Sequence, residues 1–181
     1  MTKKKKNLDW LIKNYMPFFN EFGMTEKNIV SHYEFWKKEG SASIENYLWY
    51  LFNTLLDENS KQSTKLIDFY KRNARIYSQM ISFRRKFENK KANEIQKAYN
   101  FNQINLDLES MKDSNLEIEF LIVGVNDCKQ SERISNKPIT KEQALLNNTI
   151  PYDMCSRNTG CVCLVAVRPK RDSDGKLIWK E

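Results

Sequence analysis

Four cysteines constrain the fold of this chain more than any other feature, because all of them lie in its last third. They are Cys128, Cys155, Cys161 and Cys163, the last three in the run Ile-Pro-Tyr-Asp-Met-Cys-Ser-Arg-Asn-Thr-Gly-Cys-Val-Cys. Four thiolates within 36 residues match the number and closeness of ligands that a tetrahedral Zn²⁺ takes, with sulfur at about 2.3 Å. An even number of cysteines also fits two disulfides in a secreted domain. The N-terminal run Met-Thr-Lys-Lys-Lys-Lys-Asn-Leu-Asp-Trp-Leu-Ile-Lys argues against secretion, since Asp9, Lys13 and Asn14 interrupt the apolar stretch that a signal peptide needs. No stretch reaches the ~18 apolar residues of a membrane span. A bond between Cys161 and Cys163, only two residues apart, would be strained. The expectation is a cytoplasmic protein with reduced thiols and no membrane partner. Unligated thiols packed as small apolar residues are the alternative to zinc. A zinc held by four protein ligands has no open position for water, so the site is expected to be structural and not catalytic.

Hydrophobic residues make up 40% of the 181 and aromatics 12%, enough for a real core. The net charge is +7, from 30 basic and 23 acidic residues, and it is unevenly spread. Residues 113–181 hold ten of each sign, so the surplus of 20 over 13 lies in residues 1–112. The hydrophobic pattern changes at the same place, near Asp113, Ser114 and Asn115. This predicts a basic helical domain over 1–112 and a small β-rich cysteine module over 113–181.

Before that boundary the pattern is helical. Asn7 caps a first helix through Phe19, with Pro17 bending or ending it and Gly23 beyond it. Thr25 opens a second helix over Ile29, Val30, Tyr33 and Trp36, stopped at Gly40. Ser43 opens a third, whose Ile44, Tyr47, Leu48, Leu51, Phe52 and Leu55 recur at core spacing. No Gly or Pro occurs from Ser60 to Gly124, and the stretch to about Lys97 reads as one long helix, resuming to Met111 after a break near Asn100 and Asn102. On a single helix over 61–97, Lys61, Lys65, Arg72, Arg75, Lys86, Lys90 and Lys97 fall within about 40° of one line. Phe69, Phe83 and Phe87 flank that stripe, and Leu66, Tyr70, Tyr77 and Ile81 face the opposite, buried side. Such a stripe suits a phosphate backbone, through counterion release, with the Lys3 to Lys6 tail adding sequence-independent affinity. A solvated helix face, or a surface for an acidic protein, has the same composition.

After the boundary the period is that of strands. Leu116 to Val125 alternates and then turns continuously apolar, and Cys128 follows its end. Thr140 and Gln143 form a capping-box pattern for a short helix through Leu146. Cys161 to Val167 reads as a second strand, placing both cysteines on one face, and Asp174-Gly175 turns into a third over Lys176 to Trp179. The fold expected is α+β, with a helical domain followed by a small antiparallel sheet clamped by a zinc site. Pro151 stiffens the loop that delivers Cys155, and Gly160 turns the chain before Cys161.

The segment from Phe120 through Cys128, Ile134-Ser-Asn-Lys-Pro-Ile-Thr-Lys-Glu-Gln-Ala144, Pro151-Tyr-Asp-Met-Cys155 and Cys161-Val-Cys163 resembles the cysteine-bearing C-terminal module of phage head-morphogenesis (minor head) proteins. Small cysteine-rich bacterial proteins of unknown role have a similar tail. The likeness covers about 50 residues. Ser131 stands where that family has the second cysteine of a Cys-x-x-Cys, Asp153 where it has a histidine, and an insertion separates Cys155 from Cys161. The resemblance implies a metal module that clamps strands, and an assembly role.

Enzyme motifs are incomplete. His32-Tyr33-Glu34 reproduces the His-x-Glu of zinc deaminases without the partner Pro-Cys-x-x-Cys, and His32 beside Tyr33 and Trp36 reads as a half-buried structural residue. Cys155 has no second histidine to activate it, and no phosphate-binding glycine loop or nucleophile elbow is present. The function expected is a non-enzymatic, zinc-stabilised protein that binds nucleic acid through its basic stripe. A protein-assembly factor using the zinc module as its partner surface is the alternative, and no small-molecule substrate is evident.

Overall fold

A computed structural model describes residues 6–38, 43–124, 128–146, 150 and 153–180. The expectations placed on Lys3 to Lys5, Gly40, Val125 and Pro151 lie outside them. The chain divides into two units, residues 1–61 and 62–181.

In the first unit, local capping sets the helix ends. Asn7 accepts the Trp10 N–H at 3.0 Å and starts α1 (Leu8–Asn20), which runs through Pro17 to Asn20. Thr25 Oγ1 accepts the Asn28 N–H at 3.2 Å ahead of α2 (Glu26–Lys38), and Ser43 Oγ accepts the Asn46 N–H at 3.1 Å ahead of α3 (Ile44–Gln62). All six expected core residues of α3 are buried. The Phe52 ring meets Tyr15, Phe18 and Phe19 of α1 at centroid distances of 5.8–6.1 Å, and the buried Tyr47 hydroxyl donates to the Ile29 carbonyl at 2.8 Å.

The second unit holds α4 (Leu66–Lys86), α5 (Asn93–Met111), β1 (Ile118–Val123), α6 (Lys129–Ile134), β2 (Pro138–Ile139), α7 (Lys141–Leu146) and β3 (Leu164–Pro169). The architecture is α+β, with a three-stranded antiparallel sheet in the order β2-β1-β3. Phe120 pairs with Ile139 on one side and Val167 on the other. The capping box at α7 forms as expected: Thr140 Oγ1 accepts the Gln143 N–H at 3.2 Å, and Gln143 Oε1 accepts the Thr140 N–H at 3.0 Å.

Five expectations need correction. The stretch 61–97 is not one helix. It is interrupted at residues 63–65, where Ser63 and Thr64 offer side-chain alternatives to helical bonding and Lys65 is extended, and again at 87–92, where Asn89 takes a positive φ of 53°. No break occurs at Asn100 or Asn102, both of which lie inside α5 with their amides bonded. Residues 176–179 do not form a strand in this sheet. They return after the Gly175 turn as isolated bridges, Arg171 to Leu177 and Leu116 to Trp179. Finally, β3 begins at Leu164, so Cys161 and Cys163 precede it. The boundary expected near Asp113 falls within the second unit, because α5 packs on α4 along one side and on β3 along another.

Candidate metal centre

Residues 155–163 carry no ladder of backbone bonds, so their N–H and C=O groups need other partners if they are to be buried. One face of α5 supplies them. Asn93, Gln96 and Asn100 recur at i, i+3 and i+7, which places them in a row, and all three are buried. Asn93 Oδ1 accepts the Cys161 N–H at 3.1 Å, while its amide donates to Asp153 at 3.1 Å. Asn100 donates to the Cys163 carbonyl at 3.1 Å, and Gln96 donates to Asn100 at 3.3 Å. From α4, Arg85 donates to the carbonyls of Thr159 at 3.2 Å and of Cys161, and to Gln96 at 3.0 Å.

Gly160 makes this docking feasible. Its φ is +88°, and a Cβ there would lie 2.4 Å from Asn93 Oδ1 and 3.2 Å from the Ala92 nitrogen. Gly124 plays a related part near Cys128, since a Cβ on it would come within 2.5 Å of the Ser131 carbonyl. Ser131 is fully buried and donates its hydroxyl to the Cys128 carbonyl at 2.8 Å.

All four cysteines are buried and none forms a disulfide, and they belong to one core cluster with Ile104, Phe120, Ala144, Ile150 and Val165. The sulfurs interact in hydrogen-bonded pairs, Cys128 with Cys155 and Cys161 with Cys163, and Cys155 also feels the charge of Cys163. Burial alone would raise the Cys128 pKa. The N–H groups of Ser156, Ser131 and Gln130, with the Cys155 thiol, outweigh it and bring Cys128 down to about 6. Burial pushes the Cys155 thiol up, against the Arg157 N–H that faces its sulfur. Cys161 is raised by its bond to Cys163 and then by burial, with the Cys163 N–H opposing. Cys128, Cys155 and Cys161 thus each have the N–H of the second following residue directed at sulfur. Among the described residues, no group of three or more His, Cys, Asp or Glu side chains is disposed to hold a metal ion.

The seven basic residues expected to share one stripe are dispersed. Lys61 belongs to α3 in the first unit and pairs with Asp57 at 2.5 Å. Lys65 precedes α4, Lys90 lies between α4 and α5, and Lys97 on α5 pairs with Glu94 at 2.8 Å. Only Arg72, Arg75 and Lys86 share a helix. Together with Lys71 they span about 100° of the α4 surface, and the buried Phe83, Ile76, Met80, Asn73, Ile81 and Ala74 occupy the rest of the circumference, beginning directly beside Arg72. Phe83 stands beside Arg72 on the helix, as expected, but is fully buried, while Leu66, expected to be buried, is exposed. In the first unit, His32 is exposed and stacks on Tyr50 at 5.4 Å, so it is not the half-buried residue expected.

The row Asn93, Gln96, Asn100 and the clamp by Arg85 were missed in the sequence. The spacing of three amides on one helix face was the available signal. No family model, no curated protein and no solved structure matches this chain.

Proposed function

We propose that residues 62–181 form a zinc-stabilised binding module, in which Cys128, Cys155, Cys161 and Cys163 are the four ligands of a structural Zn²⁺. The observation that carries this reading is the set of backbone N–H groups directed at buried sulfur. Such donors stabilise an anionic thiolate, the form that binds metal, and they hold the ligands in orientation. The thiols are already close enough to bond in pairs, and a metal would draw both pairs onto one centre. The cluster is buried in the core, and four protein ligands leave no position for a substrate. The reading is therefore non-enzymatic. Titration with Co²⁺ tests it: the full chain should give the intense thiolate-to-cobalt absorption of a tetrahedral four-sulfur site. Absence of that absorption with the reduced chain would refute it.

The outward face of α4 supports nucleic acid as the partner of the module. That face carries Lys71, Arg72, Arg75 and Lys86, with Asp68 of the first turn as its acidic residue. A phosphate backbone lying along Lys71, Arg72, Arg75 and Lys86 would release counterions, with each contact adding about 0.9 to the slope of log affinity against log salt. A mobility-shift series over several salt concentrations measures that slope. Reversing Arg72, Arg75 and Lys86 to Glu should abolish the shift while leaving the thermal transition in place. An unchanged shift would refute the role of this face. The alternative of a protein-assembly factor is favoured by Leu146 and Met154, which are 70% and 73% exposed. Self-association lost in L146S/M154S, without any nucleic-acid shift, would favour that reading.

A further inference from the structure

Arg85 is a half-buried guanidinium whose hydrogen-bond partners, the carbonyls of Thr159 and Cys161 and the amide oxygen of Gln96, are all neutral. A charge withdrawn from water is costly unless an opposite charge lies near. Among the described residues no carboxylate bonds to it. The Arg157 guanidinium lies close enough to repel it, and the groups close enough to attract it are the thiols of Cys161 and Cys155. A half-buried guanidinium beside neutral thiols would be an unfavourable arrangement. Four thiolates around one Zn²⁺ carry a net charge of −2, and the same arrangement then becomes a neutralised site.

We infer that Arg85 is a positioning residue of the zinc centre, supplying counter-charge to a dianionic four-thiolate site while its fork fixes the Thr159–Cys161 backbone that presents one ligand. This rests on the zinc reading above. Arg85 reaches the site from α4, so the helix pair is part of the metal site's electrostatic shell. Metal binding would then order α4, α5 and the cysteine loop together, which ties the basic outer face of α4 to the same event.

The test is zinc affinity of the full chain by competition with a chromogenic chelator, alongside the Co²⁺ spectrum. R85Q should weaken zinc about 10- to 100-fold, the range for outer-shell partners of a metal site. Its cobalt spectrum should keep the four-sulfur form, a result that a loss of folding would not give. R85K keeps the charge and loses the fork, and should weaken zinc less than tenfold. Equal losses in R85K and R85Q, or wild-type affinity in R85Q, would overturn the counter-charge role. Should R85Q not fold, R85K decides alone, since a loss as large as 10- to 100-fold with the charge retained is incompatible with it. Wild-type protein that binds neither metal refutes the zinc reading itself, a failure distinct from any of these.

Discussion

Replacing Gly160 by alanine should be among the most damaging single-methyl changes in the second unit, and Gly175 provides its control. Both glycines have positive φ, +88° and +80°. For a residue with a Cβ this conformation costs about 1–2 kcal/mol, and G175A should lose only that, because nothing lies within 4 Å of the added carbon. At Gly160 the Cβ would sit 2.4 Å from Asn93 Oδ1 and 3.2 Å from the backbone nitrogen of Ala92. Asn93 must therefore move, and its bond to the Cys161 N–H, 3.1 Å long, is lost. Leaving a buried N–H without a partner costs about 1–3 kcal/mol, so G160A should lose about 2–5 kcal/mol in all. Chemical denaturation of the full chain measures this, with amide exchange in α5 and β3 reporting the second unit separately from the first. Zinc affinity should fall along with stability, since the turn presents Cys161. Equal costs for G160A and G175A would show that the α5 row does not hold the cysteine loop.

Two further changes test local readings of the second unit. T140A removes the hydroxyl that accepts the Gln143 N–H, and should cost about 0.5–2 kcal/mol, read as earlier exchange of the α7 amides. Unchanged protection would mean that packing of the buried Ala144 alone holds the helix. For Asp107, burial raises the carboxyl pKa against the opposing bond from Gln103. A folded-state pKa above the unfolded value destabilises the ionised protein, in full at pH 7, and the penalty disappears as pH falls toward the unfolded value of about 3.9. D107N should therefore stabilise the protein at pH 7, with an advantage that shrinks to nothing near that lower pH. A destabilised D107N at neutral pH would reverse the assignment.

What was legible in the sequence was local. Asn7, Thr25, Ser43 and Thr140 each act on the backbone N–H three residues on, and such short-range chemistry can be read without a fold. The core face of α3 and the strand around Phe120 followed from periodicity alone. The breaks around α4 carry neither Gly nor Pro, and Asn89 is one of the few residue types that enter positive φ without glycine. Charge and pattern do change near Asp113, yet contacts across that point tie α5 to β3, and no composition shift reports a long-range contact. The cysteines were legible as a cluster. Their support was not, because Asn93, Gln96 and Asn100 look like surface residues until a loop without its own hydrogen-bond ladder is placed against them. Arg72 and Arg85 are both basic residues of α4, although one lies on its outward arc and the other turns toward the Thr159–Cys161 backbone.

The central claim is that the four thiols are ligands of one metal ion. Elemental mass spectrometry of the full chain, purified without a histidine tag, tests it directly when combined with thiol titration before and after chelation. About one zinc per chain is expected, with thiols that react only once the metal is removed. Protein free of metal, with four thiols that titrate without chelation, would contradict it and leave a cysteine loop held by α5 and Arg85 alone.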